Sequence, residues 1–173
     1  MVLKPQDTLL AVKYWSIKAQ GQRLSVRDIA ESIKVSIGEI SKSTRRLIAA
    51  HLVVDRDGEF NVEKGALLEW ITYGTRYAYP VEIVGYGRGM PTSWSCPRVK
   101  TDIVPPDVPI VWSSSGGSVE GSLIKPIHES VPFAAGGDER LYEALSLMDA
   151  IRGGKPRELA IARKELSELI KSH

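Results

Sequence analysis

The chain has 173 residues, 43% of them hydrophobic and 25% charged, with a formal charge of +2, which leaves room for one medium domain or two small ones and excludes fibrous and disordered classes. A single cysteine, Cys96, excludes an internal disulfide and any zinc site built on several thiolates. Apolar stretches such as 47–54 fall far short of the roughly 18 residues a membrane span requires, and the amino end lacks a basic-then-apolar signal, so a soluble, cytoplasmic protein is expected.

The elements follow in chain order. Pro5 opens a first helix, with Gln6 and Asp7 in its first turn. Leu10, Tyr14 and Ile17 stand at helical spacing, Leu9 and Trp15 widen the stripe, and Gly21 ends the run. Ser25 is placed to cap a short second helix through Ile33, with Val26, Ile29, Ala30 and Ile33 inward. Ser36 and Glu39 have capping-box spacing and start a third helix, whose inward face reads Ile37, Ile40, Thr44, Leu47 and Ile48. Leu52 to Val54 and Glu59 to Val62 read as strands around Asp55 to Gly58, whose Asp-Gly pair favours a tight hairpin.

A further helix is expected from Glu63 to Tyr73, ended by Gly74. Residues 74–109 are rich in Gly, Pro and Tyr and read as an ordered but irregular stretch with isolated extended pieces. Ile110–Trp112 and Val119–Ile124 read as a second hairpin. Helices from Asp138 to Arg152 and from Pro156 onward close the chain, joined at Gly153 and Gly154 as an antiparallel pair. The expectation is an α+β protein in two parts: residues 1–73, three helices and a hairpin, and residues 74–173, a mixed region carrying the second hairpin and the two terminal helices.

Charge separates these parts. Residues 1–80 carry 12 basic and 9 acidic side chains, and residues 81–173 carry 11 and 12. Between residues 34 and 56 stand Lys34, Lys42, Arg45, Arg46 and Arg56 against Glu39 and Asp55 only, the pattern a polyanionic partner requires.

The run from Ser25 through Val35-Ser36 to the exit Ala50-His51-Leu52-Val53 resembles the helix-turn-helix and strand of bacterial winged helix-turn-helix regulators of the MarR and IclR type. His51 departs from the glycine usual there, so the resemblance implies a left-handed turn held by histidine. Leu3-Lys-Pro-Gln-Asp7, Gly74-Thr-Arg-Tyr-Ala-Tyr-Pro80, Arg88-Gly-Met-Pro-Thr92, Leu141-Tyr142 and Asp149-Ala-Ile-Arg-Gly153 are similar to segments of a group of bacterial winged-helix proteins. That likeness implies that the carboxyl half is a fixed companion of the first domain, for dimerisation or partner sensing.

A helix fits the DNA major groove when its outer face offers short polar groups and long cations three or four residues apart. Gly38, Glu39, Ser41, Lys42, Arg45 and Arg46 lie outside or at the edges of the third helix. Lys42 and Arg45 are the expected base readers, and Ser36 and Arg46 the backbone contacts. Glu39 caps the helix or accepts from a cytosine amino group, and Arg56 at the hairpin tip reaches a minor groove.

The expected function is therefore a sequence-specific regulator of double-stranded DNA, a homodimeric repressor that needs no cofactor, metal or catalytic step. The alternative is a protein-interaction module, such as an antitoxin or phage-defence partner encoded in the same operon, that also represses its own promoter. The remaining features read as structural. Gly85-Tyr-Gly-Arg-Gly89 is taken as a turn, Cys96 as structural and His128 as a surface residue. His51 is read as a satisfied core histidine, and Arg76, Arg88 and Arg98 as packed on aromatic rings.

Overall fold

A computed structural model describes residues 2–99 and 103–173. It has an α+β architecture: α1 (Pro5–Ala19), α2 (Val26–Ile33), α3 (Ile37–Ala49), β1 (Val53–Arg56), β2 (Glu59–Val62), α4 (Lys64–Glu69), α5 (Thr75–Ala78), β3 (Ile83–Pro91), β4 (Ile110–Ser113), β5 (Val119–Ile124), α6 (Val131–Gly136), α7 (Glu139–Gly153) and α8 (Pro156–Lys171). No helix among the described residues is long and apolar enough to cross a membrane.

The first two helical starts follow their local signals. Asp7 accepts a hydrogen bond from the Lys4 amide at 2.8 Å, and Ser25 Oγ accepts from the Asp28 amide at 3.1 Å. At the third, Ser36 Oγ accepts from the Glu39 amide at 3.2 Å, but the Glu39 carboxylate does not return the bond. It accepts instead from Gln6 Nε2 at 2.8 Å and from Lys42 Nζ at 3.1 Å. The expected capping box is therefore half formed, because two side-chain donors compete with one exposed amide.

Two side chains assigned to the core are on the surface: Val26 is 41% exposed and Ile37 53%. Helical phase is too coarse in a first turn, where no preceding turn of the same helix packs the side chain inward. α3 ends in a paired C-terminal motif, with the Leu52 amide donating to Leu47 O and the His51 amide to Ile48 O, both at 3.0 Å. This places His51 at φ +60°, the left-handed turn expected from the sequence, yet its side chain is exposed and not in the core.

β1 and β2 pair antiparallel in the register Val53↔Val62 to Arg56↔Glu59. The two turn residues, Asp57 and Gly58, have φ of +55° and +84°, a turn whose twist matches that of the strands. The Gly58 amide donates to Asp55 Oδ1 at 2.8 Å.

The following helix does not stop at Gly74. A π-helical turn, Trp70–Gly74, joins α4 to α5, so the chain crosses the expected 73/74 boundary inside a helical run. Gly74 is needed for a different reason: a Cβ there would stand 2.4 Å from the Trp70 ring.

The stretch read as irregular holds α5 and the nine-residue strand β3; its residues 100–102 lie outside the described residues. The glycines of 85–89 sit within β3 and form no turn. Gly89 lets two backbones meet, since a Cβ there would lie 1.9 Å from Trp112 O. The expected second hairpin is also corrected. β4 and β5 pair in parallel, each pairs antiparallel with β3, and the three strands close a small barrel.

One hydrophobic cluster spans both halves. α1 lies at its centre, touching α3, β2 and α4 on one side and α7 on the other, and it is buried continuously from Asp7 to Ile17. Its polar residues find partners instead of water. Thr8 Oγ1 accepts from Trp70 Nε1 at 3.0 Å, Lys13 pairs with Asp138 at 2.8 Å, and Ser16 donates to the same carboxylate at 2.8 Å. A second buried knot ties the barrel to α7: Asp149 accepts from Thr92, Trp112 and Arg152 at 2.6–2.7 Å, and Arg152 Nε donates to Tyr79 O at 2.6 Å.

Candidate nucleic-acid interface

α2 and α3 meet through Lys34 and Val35. Lys34 takes the left-handed conformation at φ +50°, and the Val35 amide donates to Ala30 O at 3.1 Å, which turns the chain sharply before Ser36. Val35 and Ile40, on either side of the cap, are both buried and fix the angle at which α3 leaves the turn. Ile40, Ser43, Thr44 and Leu47 are then buried, with Thr44 Oγ1 donating to Ile40 O at 2.8 Å and meeting Tyr14 Oη at 2.9 Å.

This phase turns Ser36, Gly38, Ser41, Lys42 and Arg45 outward, all exposed, together with Ile37. Among the described residues, no strand or helix of the carboxyl half packs extensively on α3. That half reaches the first three helices at α1, through α7, and at α2, where α6 packs and Lys34 Nζ lies 4.0 Å from the Phe133 ring centroid. Arg45 has no ion partner among the described residues. Lys42 pairs with Glu39 at 3.1 Å, and both side chains stay in contact with solvent. Hydrogen bonds from Gln6 and then Lys42 hold the Glu39 carboxyl below its ordinary range, so the pair is a neutralised dipole on the cationic face.

Arg46 stands apart from its neighbour. Its Nε donates to Asp7 Oδ2 at 2.7 Å and its Nη2 to Asp7 Oδ1 at 2.9 Å, while Asp7 is fully buried. Hydrogen bonding to Asp7 raises the guanidinium above its ordinary value. The side chain expected to contact a backbone phosphate is thus held inward, because a buried carboxylate needs its bidentate fork more than solvent does. Arg56 is exposed at the end of β1, 3.8 Å from Glu63. The structure brings Ser36, Gly38, Ser41, Lys42 and Arg45 onto one outer face, sets Glu39 at its edge, and withdraws Arg46.

The places of two residues in this region are not legible in the sequence. Gln6 fastens the start of α1 to α3 through Glu39 and, at 3.0 Å, through Ser43 Oγ; nothing local in the sequence announces a contact across 33 residues. For Ile37, helical spacing alone predicts an inward side chain, yet it is exposed.

Other sequence candidates are accounted for by packing. Cys96 is buried, His128 is half buried with Nδ1 2.8 Å from Ser130 Oγ, and Trp15, Trp94 and Trp112 are buried. Arg76 donates to Gly154 O at 2.8 Å, while Arg88 and Arg98 pair with Glu120 and Glu139. These three arginines serve carbonyl and carboxylate partners, where aromatic packing was expected. Among the described residues no group of three His, Cys, Asp or Glu is arranged to hold a metal ion.

Comparison with protein families, with curated proteins and with solved structures returns no match for this chain.

Proposed function

We propose that the protein is a sequence-specific binder of double-stranded DNA, with residues 1–73 acting as a winged helix-turn-helix and α3 entering the major groove. The observation that carries this reading is the uncovered outer face of α3, on which Arg45 stands exposed without an ion partner among the described residues, one turn from Ser41. A groove-reading helix needs such a face, with short polar groups at its start and a cation further along.

In this reading Arg45 is the principal base reader, by two donors to a guanine edge, and Lys42 joins it once DNA displaces Glu39. The Ser36 hydroxyl and the Gly38 amide serve phosphates at the start of α3. Arg56 on the β1–β2 hairpin, acting as the wing, meets the adjacent backbone or minor groove. Arg46 plays no direct part and sets the position of α3. In the same reading the protein acts as a homodimeric repressor on a two-fold site, each copy placing its α3 in one major groove. Exposed apolar side chains on the carboxyl half, among them Tyr77, Ile83, Val84 and Tyr86, favour an association surface there. The same surface supports the second reading, an operon-encoded protein partner.

The test is selection of bound sequences from random duplexes by the full chain at two salt concentrations, with light scattering to give the assembly state. A palindromic consensus, affinity that falls steeply with salt, and losses of about 1–3 kcal/mol with relaxed preference in Lys42→Ala and Arg45→Ala are expected. Recovery of no preferred sequence, or binding indifferent to both substitutions, overturns the proposal.

A further inference from the structure

The first turn of α3 is complete without Ile37. Ser36 caps the Glu39 amide, while Val35 and Ile40 supply the apolar contacts that set the helix angle. Ile37 adds nothing to that arrangement: it is 53% exposed, a β-branched apolar side chain held out from the helix start. It lies on the same side as Ser41 and Arg45, since positions four apart on a helix fall nearly in line.

The neighbouring outward residues Ser36, Gly38 and Ser41 are short, so Ile37 projects beyond them. A protein-docking face is a contiguous apolar patch; here Ile37, the one exposed large apolar side chain of α3 among the described residues, stands among hydroxyls, a glycine and cations. The major groove presents one apolar group, the C5-methyl of thymine, among donors and acceptors.

From this match we infer that Ile37 is a specificity-determining residue that reads a thymine methyl in each half-site, beside the base contacted by Arg45. The inference rests on the proposed reading of α3 as a groove-binding helix and narrows its target to sites with thymine at a fixed position. Discrimination comes from burying the methyl against the Ile37 side chain. A cytosine at that place offers an amino donor that the aliphatic chain cannot accept from, and it lacks the methyl.

The experiment uses the full chain and a duplex recovered by the selection above, with each thymine replaced singly by uracil, a change that removes the methyl alone. The wild type is expected to bind roughly fourfold more weakly when one particular thymine per half-site is replaced, the scale of one buried methyl group. Ile37→Ala is expected to bind thymine and uracil equally at that position, and Ile37→Val to keep most of the difference. Because Ile37 is exposed and outside the cap, both variants fold, which circular dichroism checks. Indifference of the wild type to uracil at every position, or an unchanged penalty in Ile37→Ala, overturns the role of Ile37 while leaving DNA binding intact. A selection that yields no preferred duplex, or capture of a stoichiometric protein through Ile37, instead overturns the DNA-binding reading and the inference with it.

Discussion

Arg46 of α3 grips Asp7 of α1 through two parallel hydrogen bonds of 2.7 and 2.9 Å, while Arg45, its neighbour in the chain, stays exposed. Two adjacent arginines on one helix therefore have opposite tasks. One sets the angle of α3 against the central helix, and the other is exposed with no ion partner among the described residues.

That division predicts opposite effects on stability. Arg46→Ala leaves the buried Asp7 carboxylate without its cation and is expected to cost about 3–5 kcal/mol, whereas Arg45→Ala should stay within about 0.5 kcal/mol of wild type. Urea denaturation of both variants measures the difference. Equal midpoints would show that the Asp7 pair does not hold the helix.

The Lys13–Asp138 pair gives a pH dependence of known sign. Burial pushes the Asp138 carboxyl up, but Lys13, the Leu141 amide and Ser16 outweigh it and hold the group below the ordinary carboxylate range. A depressed folded value means that the stabilisation is fully present above the unfolded value of about 4 and is lost as pH falls through the lower folded value. Asp149 is shifted the other way, chiefly by burial, so the acid limb of the wild type alone mixes the two. The stability difference between wild type and Asp138→Asn, followed by denaturation from pH 7 down to pH 2, should therefore shrink with acidification. A difference that stays constant would assign the shift elsewhere.

His51 occupies the left-handed position that ends α3, at φ +60°, with an exposed side chain. A residue with a Cβ is strained there by about 1–2 kcal/mol, partly offset by the entropy a glycine would lose on folding. His51→Gly is expected to raise stability by about 0.5–1 kcal/mol, visible as a higher melting temperature. A fall would mean that the imidazole makes a contact worth more than the strain.

Gly74 tests steric need against helix propensity. Alanine favours a helix over glycine by about 1 kcal/mol, but its Cβ would stand 2.4 Å from the Trp70 ring, whose Nε1 is anchored on Thr8. The clash should dominate, making Gly74→Ala less stable by about 1–3 kcal/mol. Trp70→Leu in the same background should recover part of that loss, and a neutral Gly74→Ala would show that the ring moves aside freely.

Much of the local structure was legible. Pro5 and Gly21 bracket α1, Ser25 and Ser36 cap the next two helices, and Asp57-Gly58 makes the turn between β1 and β2, because each signal acts on amides within a few residues of itself. The outward set Ser36, Gly38, Ser41, Lys42 and Arg45 was legible for the same reason: helical phase orders neighbours in the chain. Phase failed where the helix has barely begun, at Val26 and Ile37, and the turn reading failed at 85–89, where Gly89 instead lets β3 and β4 meet.

By itself the sequence determined where α1 to α4, α7 and α8 begin, where the first hairpin turns, and which side of α3 carries Lys42 and Arg45, but it did not announce α5 or α6. Only the tertiary structure decided that Lys13 and Ser16 of α1 are buried against Asp138, that β4 and β5 run parallel, and that Arg46 turns inward while Arg45 does not. The physical reason is distance along the chain. A cap or a turn is satisfied by adjacent backbone, whereas a buried charge takes its partner from whichever segment folding brings beside it, as when Asp138 meets Lys13 across 125 residues.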